Sequence, residues 1–111
     1  MSGTRFRQGD VVLVPFPFAD LSAVKQRPVL ILSADTSGDD VITCGITSNI
    51  SRKKHSIPIE QAQFTQGTLP KKSLIRVDKL FTLEKQIIKR RFGRIDQETL
   101  DSVKAVFCGL I

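Results

Sequence analysis

The stretch QGDVVLVPFPFADLSAVKQRPVLILS, residues 8–33, holds two apolar runs separated by a polar loop. Gln8-Gly9-Asp10 has turn chemistry, and residues 11–14 (VVLV) are β-branched and strand-like. Pro15-Phe16-Pro17-Phe18 is expected to end that ladder, because proline has no N–H to donate. The two phenylalanines are then core cover where the strand exits, a simpler reading than a proline-rich ligand motif. Residues 19–26 read as a loop. Residues 28–33 form a near-continuous apolar strand, buried on both faces or bent through a small barrel. Arg27 stands directly before Pro28, which biases it toward extended geometry and fixes where its side chain leaves the backbone. A guanidinium at the mouth of two buried strands needs a reason.

Outward from this stretch, Ser37-Gly38-Asp39-Asp40 turns the chain into a strand over residues 41–48. Residues 55–60 alternate weakly, with Pro58 marking a sheet edge. Residues 73–83 and 86–95 are both strand-like. The C-terminus differs: Asp96 is a helix N-cap, Ile95 and Leu100 are spaced as a hydrophobic staple, and Leu100, Val103, Val106, Phe107 and Leu110 recur at helical spacing. Short strands followed by one helix make the fold class mainly β with a C-terminal helix, a strongly bent antiparallel sheet or small barrel.

The chain has 111 residues, 41% hydrophobic and 25% charged, which is ordinary for one soluble globular domain spanning 1–111. Its apolar runs fall far short of the ~20 residues that span a bilayer. Residues 1–10 lack an apolar signal core, so a cytoplasmic location and no membrane partner are expected. Cys44 and Cys108 lie in apolar-periodic segments without metal-like spacing and read as two reduced core thiols.

The net charge of +6 is concentrated. Residues 71–94 carry nine Lys or Arg against Asp78 and Glu84, so this segment holds +7 and the remainder −1. Lys71, Lys72 and Lys79 belong to it, and a second cluster is Arg52-Lys53-Lys54-His55. Such charge is the footprint of a polyanion or acidic-peptide partner, although a merely solvated basic face has the same composition.

Metal and imidazole chemistry are poorly supplied. There is one histidine, no paired-cysteine motif and no spaced carboxylate cluster, so neither a metal nor a cofactor is expected. His55 lies in a basic run and reads as a surface or RNA contact. Arginine and hydroxyl chemistry remains: Arg27, Thr47-Ser48-Asn49 at a strand end, and Arg76 and Asp78, two apart on one strand face and able to pair. These groups suit attack of an RNA 2′-hydroxyl on its adjacent phosphate, where a preplaced guanidinium stabilises the charge that develops. From spacing alone each of them is more simply structural, and the residues by themselves indicate a basic, metal-free, polyanion-binding small β domain.

These same segments resemble the MazF/PemK family of toxin ribonucleases. QGDVVLVPFPFADLSAVKQRPVLILS matches its opening pattern of Gly-Asp/Glu, strand, variable loop, Arg-Pro and apolar strand. ITSNIS, residues 46–51, is similar to its second motif, and GTLPKKSLIRVDKLFTL, residues 67–83, to a third with an Arg-x-Asp element. The resemblance implies an SH3-like small β-barrel with a C-terminal helix, acting as a homodimer. It implies metal-independent endoribonuclease activity on single-stranded RNA, leaving a 2′,3′-cyclic phosphate and a 5′-hydroxyl, and an acidic antitoxin partner. By position it makes Arg27 and Thr47 catalytic, Ser48 a phosphate-holding neighbour, Arg76 and Asp78 an auxiliary pair, and Lys25 part of an RNA-contacting loop. The loop over residues 16–26 is shorter than in several family members and lacks their glycine-rich, glutamate-containing stretch. Two other readings compete: a same-fold DNA gyrase inhibitor working through its dimer and final helix, kept open by the Phe107-Cys108-Gly109-Leu110-Ile111 tail, and an RNA-binding relative that does not cut.

Overall fold

The computed structural model describes residues 5–17, 24–51 and 53–111. Residues 18–23 of the expected loop, the side chains of Phe16 and Phe18, and Arg52 lie outside the described residues. Seven strands are present among them: β1 Asp10–Pro17, β2 Val24–Ile31, β3 Asp40–Thr47, β4 Ser56–Ile59, β5 Phe64–Gly67, β6 Ser73–Glu84 and β7 Arg90–Ile95. Helix α1, Gln97–Gly109, follows. The strands form one antiparallel sheet in the order β4-β6-β3-β2-β1-β7-β5, curled into a half-barrel. The mainly β class with a C-terminal helix is therefore as expected.

The prolines do not end β1. It continues through Pro15 and Pro17, which pair with Gln26 and Val24. Direction explains this. The Leu13 carbonyl accepts from Lys89 N–H at 2.8 Å, so Leu13 faces β7, and by alternation Pro15 and Pro17 face that side too. The pairing of β7 with β1 stops at Leu13, so the missing N–H groups interrupt no ladder. Pro28, opposite Leu13, faces away from β1 in the same way, and the β2–β3 pairing begins only at Val29. Consequently Lys25 and Gln26 lie within β2 rather than in a loop, a correction to the placement expected for Lys25.

Both faces of the central strands are buried. Val11, Leu30, Cys44, Ile46, Ile75 and Val77 pack with Ile95, Leu100 and Val103 on the helix side, joined by Val106, Phe107 and Leu110. Val12, Val14, Val29, Ile31 and Val41 form a second cluster on the opposite face, under Phe6, Leu83 and Ile88. This two-sided burial is what the unbroken apolar run in β2 predicts. Helix α1 starts where its signals place it: Asp96 Oδ1 accepts from Thr99 N–H at 2.7 Å, and Ile95 and Leu100 are both buried. The polar face of α1 carries Asp101, Lys104 and Cys108, so Cys108 is exposed and only Cys44 is a core thiol.

Two further segments depart from expectation. Residues 86–95 are not one strand, because the chain must cross from β6, paired to β3, to β7, paired to β1. A 3-10 turn at Lys85–Ile87 makes that crossing, fixed by Lys85 N–H to Asp39 O at 2.7 Å. Strand β5 has no apolar alternation to announce it. Its pairing with β7 is tight: a Cβ on Gly67, at φ +79°, would lie 1.9 Å from Phe92 O, so only glycine fits.

Asp10 is fully buried at the start of β1. Its Oδ1 accepts from Arg94 Nε at 2.8 Å and from Arg91 at 3.3 Å, and its Oδ2 from Arg7 N–H at 2.8 Å. The carboxylate thus ties the entry turn to β7. Beside it Gly9, at φ +95°, donates to Ile31 O and accepts from Ile95 N–H, bridging β2 and β7.

Removing a buried ionic partner typically costs about 3–5 kcal/mol. Asp10→Ala is expected to lose about 3 kcal/mol in urea unfolding, against a change within about 0.5 kcal/mol for the exposed Lys104→Ala. Burial pushes the Cys44 thiol up to about 12, so at neutral pH it presents almost no thiolate. A thiol-specific reagent should label one cysteine of the native chain, Cys108, and two after denaturation, as counted by intact mass.

Candidate functional site

The site follows from a break in the β3–β6 register. Cys44 pairs with Leu80, but the next residue, Gly45, pairs with Arg76, so Val77, Asp78 and Lys79 are extra in β6. Such bulges bend a strand and re-aim its side chains. On its other edge β6 pairs with β4 through Arg76 and Ser56, and Val77 N–H donates to His55 O at 3.0 Å. His55 itself sits at φ +58°, a left-handed turn position that few non-glycine residues adopt.

A cleft of about 230 Å³ opens at this break, lined by Arg27, Pro28, Gly45, Ile46, Thr47, Arg76, Lys79 and Phe81. Strand alternation explains the grouping. Val29 pairs with Gly45, so Arg27 and Thr47, each two residues along, share that face, as does Arg76 opposite Gly45. It is the face away from α1, at the end of the second apolar cluster. Three cationic side chains and one hydroxyl converge here with no carboxylate in the lining.

Thr47 Oγ1 accepts from Asn49 N–H at 3.1 Å, which leaves its own proton to be donated into the cleft. Asn49 Oδ1 in turn accepts from Ser51 N–H and Oγ, at 3.1 and 2.8 Å, which fixes the turn after β3. Arg76 Nε lies 3.5 Å from Asp78 Oδ1, as the spacing predicts. The contact is an ion pair without hydrogen-bond geometry, and the buried Nε keeps an unused donor at the cleft wall.

Of the residues singled out from sequence, Arg27, Thr47, Arg76 and Lys79 are brought together, and Asp78 touches the cleft through Arg76. Lys25 is exposed on β2, two residues from Arg27 and on its face. Ser48 is exposed just past Thr47, and Lys71 and Lys72 are exposed in the turn entering β6. Lys53, Lys54 and His55 occupy the β3–β4 turn, with Lys53 Nζ 3.4 Å from Ser51 Oγ. None of these lines the cleft. Sequence reasoning missed Gly45 and Phe81, whose apolar or small character carries no chemical signal.

The basic segment 71–94 does not form one patch. β6 and β7 are separated by three strands in the sheet. On the β7 side Arg91 and Arg94 hold Asp10, and Arg90 stacks on Phe92 at 4.8 Å. Lys85 Nζ donates to Thr36 O at 2.6 Å. Among the described residues no three His, Cys, Asp or Glu side chains gather as metal ligands, and no helix is long and apolar enough to cross a membrane.

The family model of PemK-like, MazF-like toxins of type II toxin-antitoxin systems matches residues 7–111. The chain belongs to this family. Solved structures of similar fold include an endoribonuclease in complex with its cognate antitoxin from a mycobacterial species, 17% identical with a TM-score of 0.74, covering 95% of this chain and 93% of that one. The Mycobacterium tuberculosis toxin MazF-mt6 is 18% identical with a TM-score of 0.71, over 90% of this chain and 93% of that one. A MazE–MazF structure from Deinococcus radiodurans is 15% identical with a TM-score of 0.75, over 94% of each chain. At these identities the likeness is one of fold. No curated protein matches the sequence.

Proposed function

We propose that this chain is the toxin of a type II pair and works as a metal-independent endoribonuclease on single-stranded RNA, cutting at short sequences. The convergence of Arg27, Thr47 and Arg76 on one cleft carries the reading. The RNA 2′-hydroxyl attacks the adjacent phosphorus; the P–O2′ bond forms, the P–O5′ bond breaks, and the proton released at O2′ is matched by one taken up at O5′. The products are a 2′,3′-cyclic phosphate and a 5′-hydroxyl. Negative charge that grows on the non-bridging oxygens meets the Arg27 guanidinium, whose fork geometry suits phosphate. Thr47 donates its free proton to the same oxygens, and Ser48 supplies a neighbouring hydroxyl. Asp78 orients Arg76, a positioning role consistent with its place outside the lining.

Lys79 in the lining and the outlying cations Lys25, Lys53, Lys54, Lys71 and Lys72, with His55, hold the strand through its phosphates, and Arg52 is a further candidate from sequence. We further propose a single domain over 1–111, a homodimer, a cytoplasmic setting and an acidic antitoxin that covers the cleft. The mycobacterial and Deinococcus neighbours seen with antitoxins support the last of these. The gyrase reading is the runner-up: Phe107 and Leu110 are partly buried against the core, while Ile111 at the end of the tail is exposed.

The test is incubation of purified protein with long single-stranded RNA in EDTA, beside Arg27→Ala and Thr47→Ala. Loss of a preorganised donor to the transition state costs roughly 10²–10³ in rate. Fragments ending in 2′,3′-cyclic phosphate are expected, with each variant slowed by at least about 10². Bound but intact RNA across many sequences would favour the non-cleaving relative and sink the enzyme reading.

A further inference from the structure

We propose that Asn49, at the rim of the cleft, is a specificity-determining residue that donates to a keto oxygen of a base beside the scissile phosphate. The proposal rests on the RNA-cleaving reading and names what that site selects. The turn after β3 is a chain of hydrogen bonds that all run one way. Lys53 Nζ can only donate, so its 3.4 Å contact gives a hydrogen to Ser51 Oγ. Ser51 Oγ then gives its own proton to Asn49 Oδ1 at 2.8 Å, and Ser51 N–H donates to the same oxygen at 3.1 Å. Asn49 N–H donates to Thr47 Oγ1 at 3.1 Å. The Thr47 hydroxyl proton is left for the cleft that Thr47 lines.

The orientation of the Asn49 amide follows from its partners. A backbone N–H never accepts, so the atom facing Ser51 N is the amide oxygen, and Nδ2 is the other end. That oxygen has two lone pairs, and two donors occupy them. What remains is the NH2 group, which has no hydrogen-bond partner among the described residues and belongs to an exposed residue. Asn49 therefore presents donors only. Bases differ in this respect: uracil O4 and guanine O6 accept, whereas cytosine N4 and adenine N6 donate. A donor-only amide pairs with the first two and sets donor against donor with the others. A phosphate accepts these hydrogens too, but Arg27, Arg76 and Lys79 already line the cleft for phosphate, and a neutral amide adds little to three cations. The bond to Thr47 keeps Asn49 within one side chain's length of the hydroxyl assigned to the phosphate. The next residue, Ile50, is 57% exposed and offers carbon in the same turn.

The experiment uses short RNAs spanning a cleavage site mapped with the wild type. At the nucleotide on each side of the cut the base is exchanged within a keto–amino pair, uracil against cytosine and guanine against adenine. Wild type, Asn49→Asp and Asn49→Ala are compared by kcat/KM. In the wild type one flanking position should favour the keto base by about tenfold. Asn49→Asp keeps an oxygen for Ser51 and replaces the donors by an acceptor, so the preference there should reverse toward the amino base. Its added negative charge weakens all the RNAs together and cancels in the ratio. Asn49→Ala should bring the ratio close to one. A turn that merely loosens slows every RNA alike and leaves the wild-type ratio. A keto preference that survives in either variant, or its absence at both positions in the wild type, therefore overturns the proposal and leaves the ribonuclease reading standing. If the wild type binds RNA without cutting it, the cleavage reading fails. Base selection by Asn49 is then read by fluorescence anisotropy with 12-nucleotide oligouridylate and oligocytidylate. Oligouridylate should bind about tenfold tighter to the wild type, and the difference should vanish in Asn49→Ala. Equal binding of the two, or a difference that Asn49→Ala leaves intact, overturns it.

Discussion

Between Cys44 and Gly45, one step along β3 is answered by four along β6, and the three extra residues of β6 must go somewhere. They bend the strand, and in bending it they open the sheet face away from α1. Arg76 then stands opposite Gly45 while Phe81 stands opposite Thr43, so one cation and one aromatic ring frame the same gap. Arg27 arrives from the neighbouring β2 and Thr47 from β3 itself, both by simple alternation. The break is held on its outer edge by the Val77–His55 hydrogen bond, and His55 accepts a left-handed backbone to make it. A straight β6 would pair cleanly with β3 and leave no cleft.

Charge is divided between structure and site. Asp10 lies fully buried and draws Arg91 and Arg94 to the far side of the sheet, where they lock β7 to the entry of β1. Those cations are engaged in holding the fold. Arg27, Arg76 and Lys79 line the cleft, with Asp78 beside it paired to Arg76. A concave surface with one sign of charge concentrates its field, which suits a polyanionic substrate and equally an acidic inhibitor.

Much of this was legible in the sequence because the signals were local. Asp96 as N-cap, the Ile95 and Leu100 pair and the helical spacing to Leu110 are self-contained, and α1 begins and packs as they indicate. The both-faces burial of β2 followed from its unbroken apolar run. What was not legible depended on neighbours. Whether Pro15 and Pro17 end β1 is decided by which side their nitrogens face and by where β7 stops. Lys25 moved from loop to strand for the same reason. The bulge in RVDKLFTL, residues 76–83, is invisible because Val77, Leu80 and Leu83 read as ordinary apolar positions. With it went Phe81 and Gly45, residues whose value is a shape. The contiguous basic run proved to be two groups three strands apart, a fact of sheet order rather than composition.

The proposal to test first is that the register break makes an RNA site. Its most direct test is amide chemical-shift mapping of the isotope-labelled protein titrated with a 2′-O-methylated RNA that cannot be cut. The account predicts shifts grouped at Arg27, at Gly45 to Thr47 and at Arg76 to Phe81, with smaller changes at the Lys71–Lys72 turn. Shifts confined instead to the separate groove lined by Arg5, Arg7, Asp35 and Lys85 would contradict it.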